Sequence, residues 1–196
     1  MKAKVVSILF LAVLAIFLMI VLTVTAPVQG AEFGISYGIN VWNPSWCSPG
    51  VKTHALELEV KMPVKKWVNL NWLDIGIVAN KIWSDTSPGH IIDDVYFNGQ
   101  NTSLILALRL TARKMISDTM FLEGYGSLGW MNPKEHPELG DSGMLGNWGG
   151  NIGYDFGNWS LLYGAGHWSD PLRGRDKGHN LQYLKIRIPF GKKGKK

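Results

Sequence analysis

Cysteine is nearly missing from this chain. Cys47 is the only one in 196 residues, which excludes an internal disulfide and a cysteine-built metal cluster. Long apolar runs are missing too beyond residue 26: no later stretch approaches the ~20 apolar residues of a spanning helix. From residue 31 onward the periodicity of an amphipathic helix is almost absent. Net charge is also scarce. The formal value is +5, but setting aside Lys2, Lys4 and the four lysines of the closing "GKKGKK" leaves −1. The basic balance therefore marks no nucleic-acid surface, and no nucleic-acid partner is expected.

What is present begins with an export signal. Lys2 and Lys4 precede an apolar run from Val5 to Ala26, and "PVQG" follows. Val28 and Gly30 are small enough to precede a signal-peptidase cut. Residues 1–30 thus read as a signal peptide, with an uncleaved membrane helix as the alternative. Residues 31–190 read as one domain and 191–196 as a solvated basic tail.

Alternation recurs along that domain. "THALELEVKM" sets His54, Leu56, Leu58, Val60 and Met62 against Thr53, Glu57, Glu59 and Lys61. "SLILALRLTAR" sets Leu104, Leu106, Leu108 and Leu110 against Ala107, Arg109, Thr111 and Arg113. Around 118–131, Met120, Leu122, Leu128 and Trp130 oppose Glu123, Tyr125 and Ser127; around 144–156, Met144, Trp148, Ile152 and Tyr154 oppose Asn147, Asn151 and Asp155. Successive strand side chains point to opposite faces, so each segment has one apolar and one polar side.

A soluble sandwich buries the apolar face; a membrane barrel turns it to lipid. Three features favour the barrel. Opposite charges share the polar faces: Glu57, Glu59, Glu123 and Asp155 against Arg109, Arg113, Lys185 and Arg187. Trp42, Trp83, Trp130, Trp159 and Trp168 fall near strand ends, as in interfacial girdles. The signal peptide exports the chain. The predicted fold is all-β, an eight-stranded antiparallel transmembrane barrel, with strands near 33–43, 52–62, 73–83, 102–113, 118–131, 144–156, 159–169 and 180–190. Outer loops fall at 44–51, 84–101, 132–143 and 170–179; inner turns fall at 63–72, 114–117 and 157–158. "IIDDVYF" at 91–97 offers a short extra strand above the membrane and is treated as loop.

The chemistry-bearing candidates lie in "GHWSDPLRGRDKGHNLQYLKIRIPF", residues 166–190. Trp159, Leu161, Tyr163 and Ala165 share the lipid-facing parity of strand seven, and His167 and Ser169 continue it. On the last strand Leu184, Ile186 and Ile188 face out, and so do Asn180 and Gln182. A polar cluster on a lipid face is costly unless it sits near the interface or has a use. It is either an ordinary strand rim in the headgroup zone or a nucleophile with its base. "GYGSLG" at 124–129 lies within a strand and precedes no helix, so it is no phosphate loop. His54, His90, His136 and His179 lack metal-ligand spacing and read as surface histidines.

The final stretch resembles the lipid A 3-O-deacylase (PagL) family. That resemblance rests on "HWS" and "RDKGHN" and covers about the last 30 residues. It implies an eight-stranded outer-membrane barrel of Gram-negative cells with its active site on the outer wall. It implies Ser169 as nucleophile, His167 as base, Gly178 as the loop glycine, and Asn180 where the family carries an acid. Asp176, or Asp170, stands near enough in sequence to supply that charge. Asp170 and Pro171 replace the asparagine and small residue that help form the family's oxyanion hole. Proline has no N–H to donate and aspartate repels an oxyanion, so the amide of Leu172 or Asp170 is left for that role.

The expected activity is ester hydrolysis of an acyl chain of lipopolysaccharide, with no metal or cofactor. The expected partners are lipid A and membrane lipids of the outer leaflet; a homodimer stays open. The competing readings are a non-catalytic small barrel serving adhesion or membrane integrity, and a soluble lipid-binding barrel with its apolar faces inward.

Overall fold

In the computed structural model, residues 30–40, 52–64, 72–84, 91–92, 95–96, 102–132, 143–169, 171 and 178–190 are described. The proposed signal peptide, the tail, and the candidates Asp170 and Asp176 lie outside the described residues. So do Trp42, His90 and His136.

Ten strands follow in chain order: β1 (Ala31–Ile39), β2 (Thr53–Pro63), β3 (Leu73–Ser84), β4 (Ile91–Ile92), β5 (Val95–Tyr96), β6 (Thr102–Met115), β7 (Met120–Asn132), β8 (Met144–Asp155), β9 (Ser160–Ser169) and β10 (His179–Phe190). Eight of them close into an antiparallel barrel in the order β1-β10-β9-β8-β7-β6-β3-β2. Closure removes the unpaired edges that an open sheet would present.

The faces are inverted relative to a soluble protein. Leu106, Leu108, Leu122, Leu128, Leu184 and Ile186 are exposed on the outer wall, and Leu108 is 61% exposed. Glu57, Glu59, Lys61, Arg109, Glu123, Lys185 and Arg187 are buried inside. Such a wall is stable where the surroundings are hydrocarbon. The soluble lipid-binding barrel, which needs the apolar faces inward, is excluded by this arrangement.

The interior has two layers. Toward the chain ends, cations and carboxylates fill it. Arg109 clamps Glu57 with Nη1 2.6 Å from Oε1 and Nη2 2.7 Å from Oε2. Lys185 Nζ adds a bond to Glu57 at 2.7 Å and one to Glu59 at 2.9 Å. Arg187 clamps Glu123 at 2.7 and 2.9 Å, and Lys61 Nζ lies 2.9 Å from the same carboxylate. Arg113 bridges Glu32 and Glu123, and Asp74 completes the set on Lys61. Charges removed from water need such multiple partners to offset their desolvation. Toward the far end apolar side chains predominate: Ala55, Val78, Ile82, Ile105, Met131, Leu145, Trp168, Leu181 and Tyr183 pack as one cluster, and Thr53, Ser84, Ser103, Asn147 and His179 are buried at the same end.

Several expectations are corrected. β1 starts at Ala31, two residues early, which brings Glu32 into the charged layer. The β6–β7 turn falls at 116–119, not 114–117. Lys114 and Met115 still pair with Leu122 and Phe121, and the Ser117 hydroxyl accepts the Met120 N–H at 3.0 Å to close the turn. The 91–97 segment is not all loop: Ile91 and Ile92 pair with Tyr96 and Val95 as a two-residue ribbon. Asp155 ends β8 in register with Ser160, and its carboxylate accepts the Gly157 N–H at 2.7 Å in the turn that follows. Gly157 has φ 91, which favours glycine. Trp168 is no girdle residue: it shares the parity of Leu162 and is fully buried, donating its indole N–H to the Tyr183 hydroxyl at 2.9 Å. His179 is not on the surface either. β10 begins with it, its parity is opposite to that of Asn180, and it is fully buried, 3.4 Å from Thr53 Oγ1.

Candidate functional site

The outer wall near the far ends of β9 and β10 carries the candidate residues. β9 pairs with β10 so that His167 faces Asn180 and Gly166 faces Leu181. Leu162, Gly164, Gly166 and Trp168 point inward and are buried, so His167 and Ser169 project outward, both half-buried. Asn180 projects outward opposite His167, also half-buried.

That placement joins two of the three residues. His167 Nδ1 lies 3.0 Å from Asn180 Oδ1. An amide oxygen accepts, so Nδ1 is the donor in this contact. Trp148 of β8 is the cross-strand neighbour of His167 on the other side, and the two rings lie 5.6 Å apart at 46°. The imidazole is thus held between an amide on β10 and an indole on β8.

Gly178 fixes the remaining edge of the ring. It adopts φ 58, a left-handed conformation that other residues enter at a cost. A Cβ placed there would clash with the Trp168 backbone carbonyl oxygen and come within 2.7 Å of His167 Cε1 and 2.8 Å of Nε2. Only glycine lets the approach to β10 pass this close to the imidazole.

Ser169 lies two residues further along β9, a translation of roughly 6.6 Å on the same face. Among the described residues, no hydrogen bond joins its hydroxyl to His167. Contact with Nε2 therefore depends on the rotamers of both side chains, which substrate-free sites often leave unaligned. Pro171, exposed in the turn beyond, has no N–H to offer an oxyanion.

Below the pair, the Tyr163 hydroxyl donates to Gln182 Oε1 at 2.7 Å, a second polar contact across β9 and β10 on the outer wall. Neither Trp148 nor the Tyr163–Gln182 contact was legible as part of the site. Parity shows that they face outward, but only the strand register shows what they stand beside.

No family model matches the chain, and no curated protein matches it. The deacylase resemblance therefore rests on residues 166–190 alone. Among solved structures, a de novo designed transmembrane β-barrel aligns with TM-score 0.52 at 10% identity, over 83% of this chain and 96% of its own. The outer membrane protein Ail of Yersinia pestis aligns with TM-score 0.47 at 10% identity, over 83% of this chain and 99% of its own. Likeness at this identity speaks to fold alone. Together with the closed antiparallel sheet and the apolar outer wall, the likeness to the designed barrel defines the chain as an eight-stranded transmembrane β-barrel.

Proposed function

We propose that this barrel is an esterase of the Gram-negative outer membrane that removes an ester-linked acyl chain from the lipid A part of lipopolysaccharide. The observation that carries the reading is the His167–Asn180 contact of 3.0 Å on the lipid-facing wall, with Gly178 packed against the ring. A hydrogen-bonded imidazole at the outer end of a strand has no packing role that an apolar residue would not fill at lower cost.

The proposed chemistry is acyl transfer to serine. Nε2 of His167 takes the Ser169 hydroxyl proton as Oγ attacks the ester carbonyl, and a tetrahedral oxyanion forms. Collapse breaks the bond to the sugar oxygen, which leaves with the proton from the imidazolium. Water, deprotonated by the same nitrogen, then hydrolyses the acyl-serine and frees the fatty acid. Asn180 holds the tautomer and ring angle but adds no charge to stabilise the imidazolium. In a serine enzyme, neutralising the orienting acid costs roughly four orders of magnitude, so a slow enzyme is expected unless Asp176 or Asp170 supplies charge. The lipid leaflet itself supplies the substrate, so no deep pocket is needed.

A second reading, a non-catalytic barrel of shared architecture, is favoured by two observations: the neutral Asn180 and the missing Ser169–His167 hydrogen bond. Hydrolysis of lipid A by the purified, folded barrel, compared with its Ser169→Ala variant, separates the two. Acyl release by the parent alone supports the esterase; no release by either supports the non-catalytic barrel.

A further inference from the structure

A different part of the outer wall carries a second cluster. Tyr37 on β1, His54 on β2 and Trp83 on β3 project outward near the ends of their strands away from the chain termini. The Tyr37 hydroxyl lies 2.7 Å from His54 Nδ1. The His54 and Trp83 rings stack, 5.5 Å apart and inclined by 16°. Tyr37 lies 6.3 Å from Trp83, tilted against it. Lys81, exposed on β3, sets its ammonium 5.7 Å from the Trp83 ring centroid. It forms no ion pair with any described carboxylate.

Among the described residues, the charge on this wall has one sign. Glu32, Glu57, Glu59, Asp74 and Glu123 are engaged in the interior network. The other described acids, Asp118 and Asp155, sit at the turns near the chain termini. The outer end of β1–β3 therefore presents Lys81 on its wall, and Lys52 exposed just before β2, without a described acid beside them. Stacked rings offer a flat apolar face of the kind that the C–H face of a sugar packs on. The Lys81 ammonium over the Trp83 ring is placed for a phosphate.

We propose that Tyr37, His54, Lys81 and Trp83 form a docking site for the phosphorylated sugar headgroup of an anionic glycolipid in the outer leaflet. The site is separate from the proposed ester-hydrolysing centre. Its ring stack lies on β2 and β3, three and four strands from β9, while Tyr37 lies on β1, which pairs with β10. It holds a resident lipid against β1–β3 and does not depend on hydrolysis.

The test uses the full chain carrying Ser169→Ala, so that binding is read without turnover. The folded protein in mixed micelles is titrated with bis-phosphorylated lipid A, with the same lipid after removal of both phosphates, and with phosphatidylglycerol. Heat-modifiable gel mobility checks folding of each variant. Lys81→Ala is expected to weaken binding of the phosphorylated lipid about fivefold, the contribution of one lysine near an anionic surface. Lys81→Arg is expected to restore it, and the dephosphorylated lipid is expected to be indifferent to both. Trp83→Ala is expected to weaken both sugar lipids. A folded Lys81→Ala protein that binds like its parent overturns the proposal. So does a parent that binds the two lipid A forms equally, or one that takes phosphatidylglycerol as tightly as lipid A.

Discussion

His167 and Asn180 are cross-strand partners on the outer wall, with Nδ1 of one 3.0 Å from Oδ1 of the other. Under the proposed esterase reading, a neutral amide stands where a serine hydrolase gains most from a carboxylate. Asn180→Glu is expected to raise the rate of lipid A deacylation, by about tenfold or more, because a carboxylate stabilises the imidazolium formed during attack. Initial rates on purified lipid A measure it. If Asp176 already supplies the charge, Asp176→Asn is damaging and Asn180→Glu changes little. No effect from either substitution on a measurable rate removes Asn180 from the orienting role.

Gly178 is the cheapest place to disturb the ring without touching it chemically. Gly178→Ala combines a positive φ with a Cβ inside contact distance of His167. That Cβ also meets the Trp168 carbonyl oxygen, so the entry to β10 and the imidazole beside it must shift, and small displacements of a catalytic base cost about 100-fold. The expected outcome is a loss of that order in kcat, with heat-modifiable mobility retained. An unchanged rate would mean that His167 does not act from this position.

The interior network predicts stability, not activity. Glu57 accepts from Arg109 through both oxygens and from Lys185. Glu57→Gln leaves two buried cations short of their counter-charge, and breaking such a pair costs about 3–5 kcal/mol. Urea unfolding in vesicles is expected to show a lowered midpoint for Glu57→Gln. An equal midpoint would mean that the network is hydrated or carries less of the stability than its geometry implies.

Membrane orientation has its own test. Leu108 lies mid-strand on the outer face, 61% exposed, and is expected to meet hydrocarbon. Leu108→Arg should destabilise the barrel in vesicles by about 2–4 kcal/mol, the cost of arginine near the bilayer midplane. A cysteine at position 108 should resist water-soluble thiol reagents while lipid-soluble ones label it. Ready labelling by both would place this face in water.

Strand number and facing are readable from period-two alternation because charge and apolarity segregate cleanly along β2 and β6. Arg109 and Leu108 are adjacent, yet one is buried among carboxylates and the other exposed to lipid. Strand ends were less legible. The β6–β7 turn was misplaced by two residues because Lys114 and Met115 carry no turn chemistry against them, while the Ser117 cap that closes the turn is a weak signal. Trp168 was assigned to the interface by residue type, and parity overrode type. His179 was taken for a loop histidine because the strand was started one residue late. At the site, parity put His167, Ser169 and Asn180 on one face. The 3.0 Å contact, the indole of Trp148 and the closeness of Gly178 depend on register between strands, which a single sequence does not encode.

The proposal that Ser169 removes an acyl chain from lipid A is tested most directly by mass spectrometry of lipid A from cells. Three strains are compared: without the protein, with the parent chain, and with Ser169→Ala at equal barrel content. The account predicts a lipid A species lighter by one ester-linked acyl chain with the parent alone. Unaltered lipid A in cells with a folded parent barrel, or the same lighter species with Ser169→Ala, would contradict it.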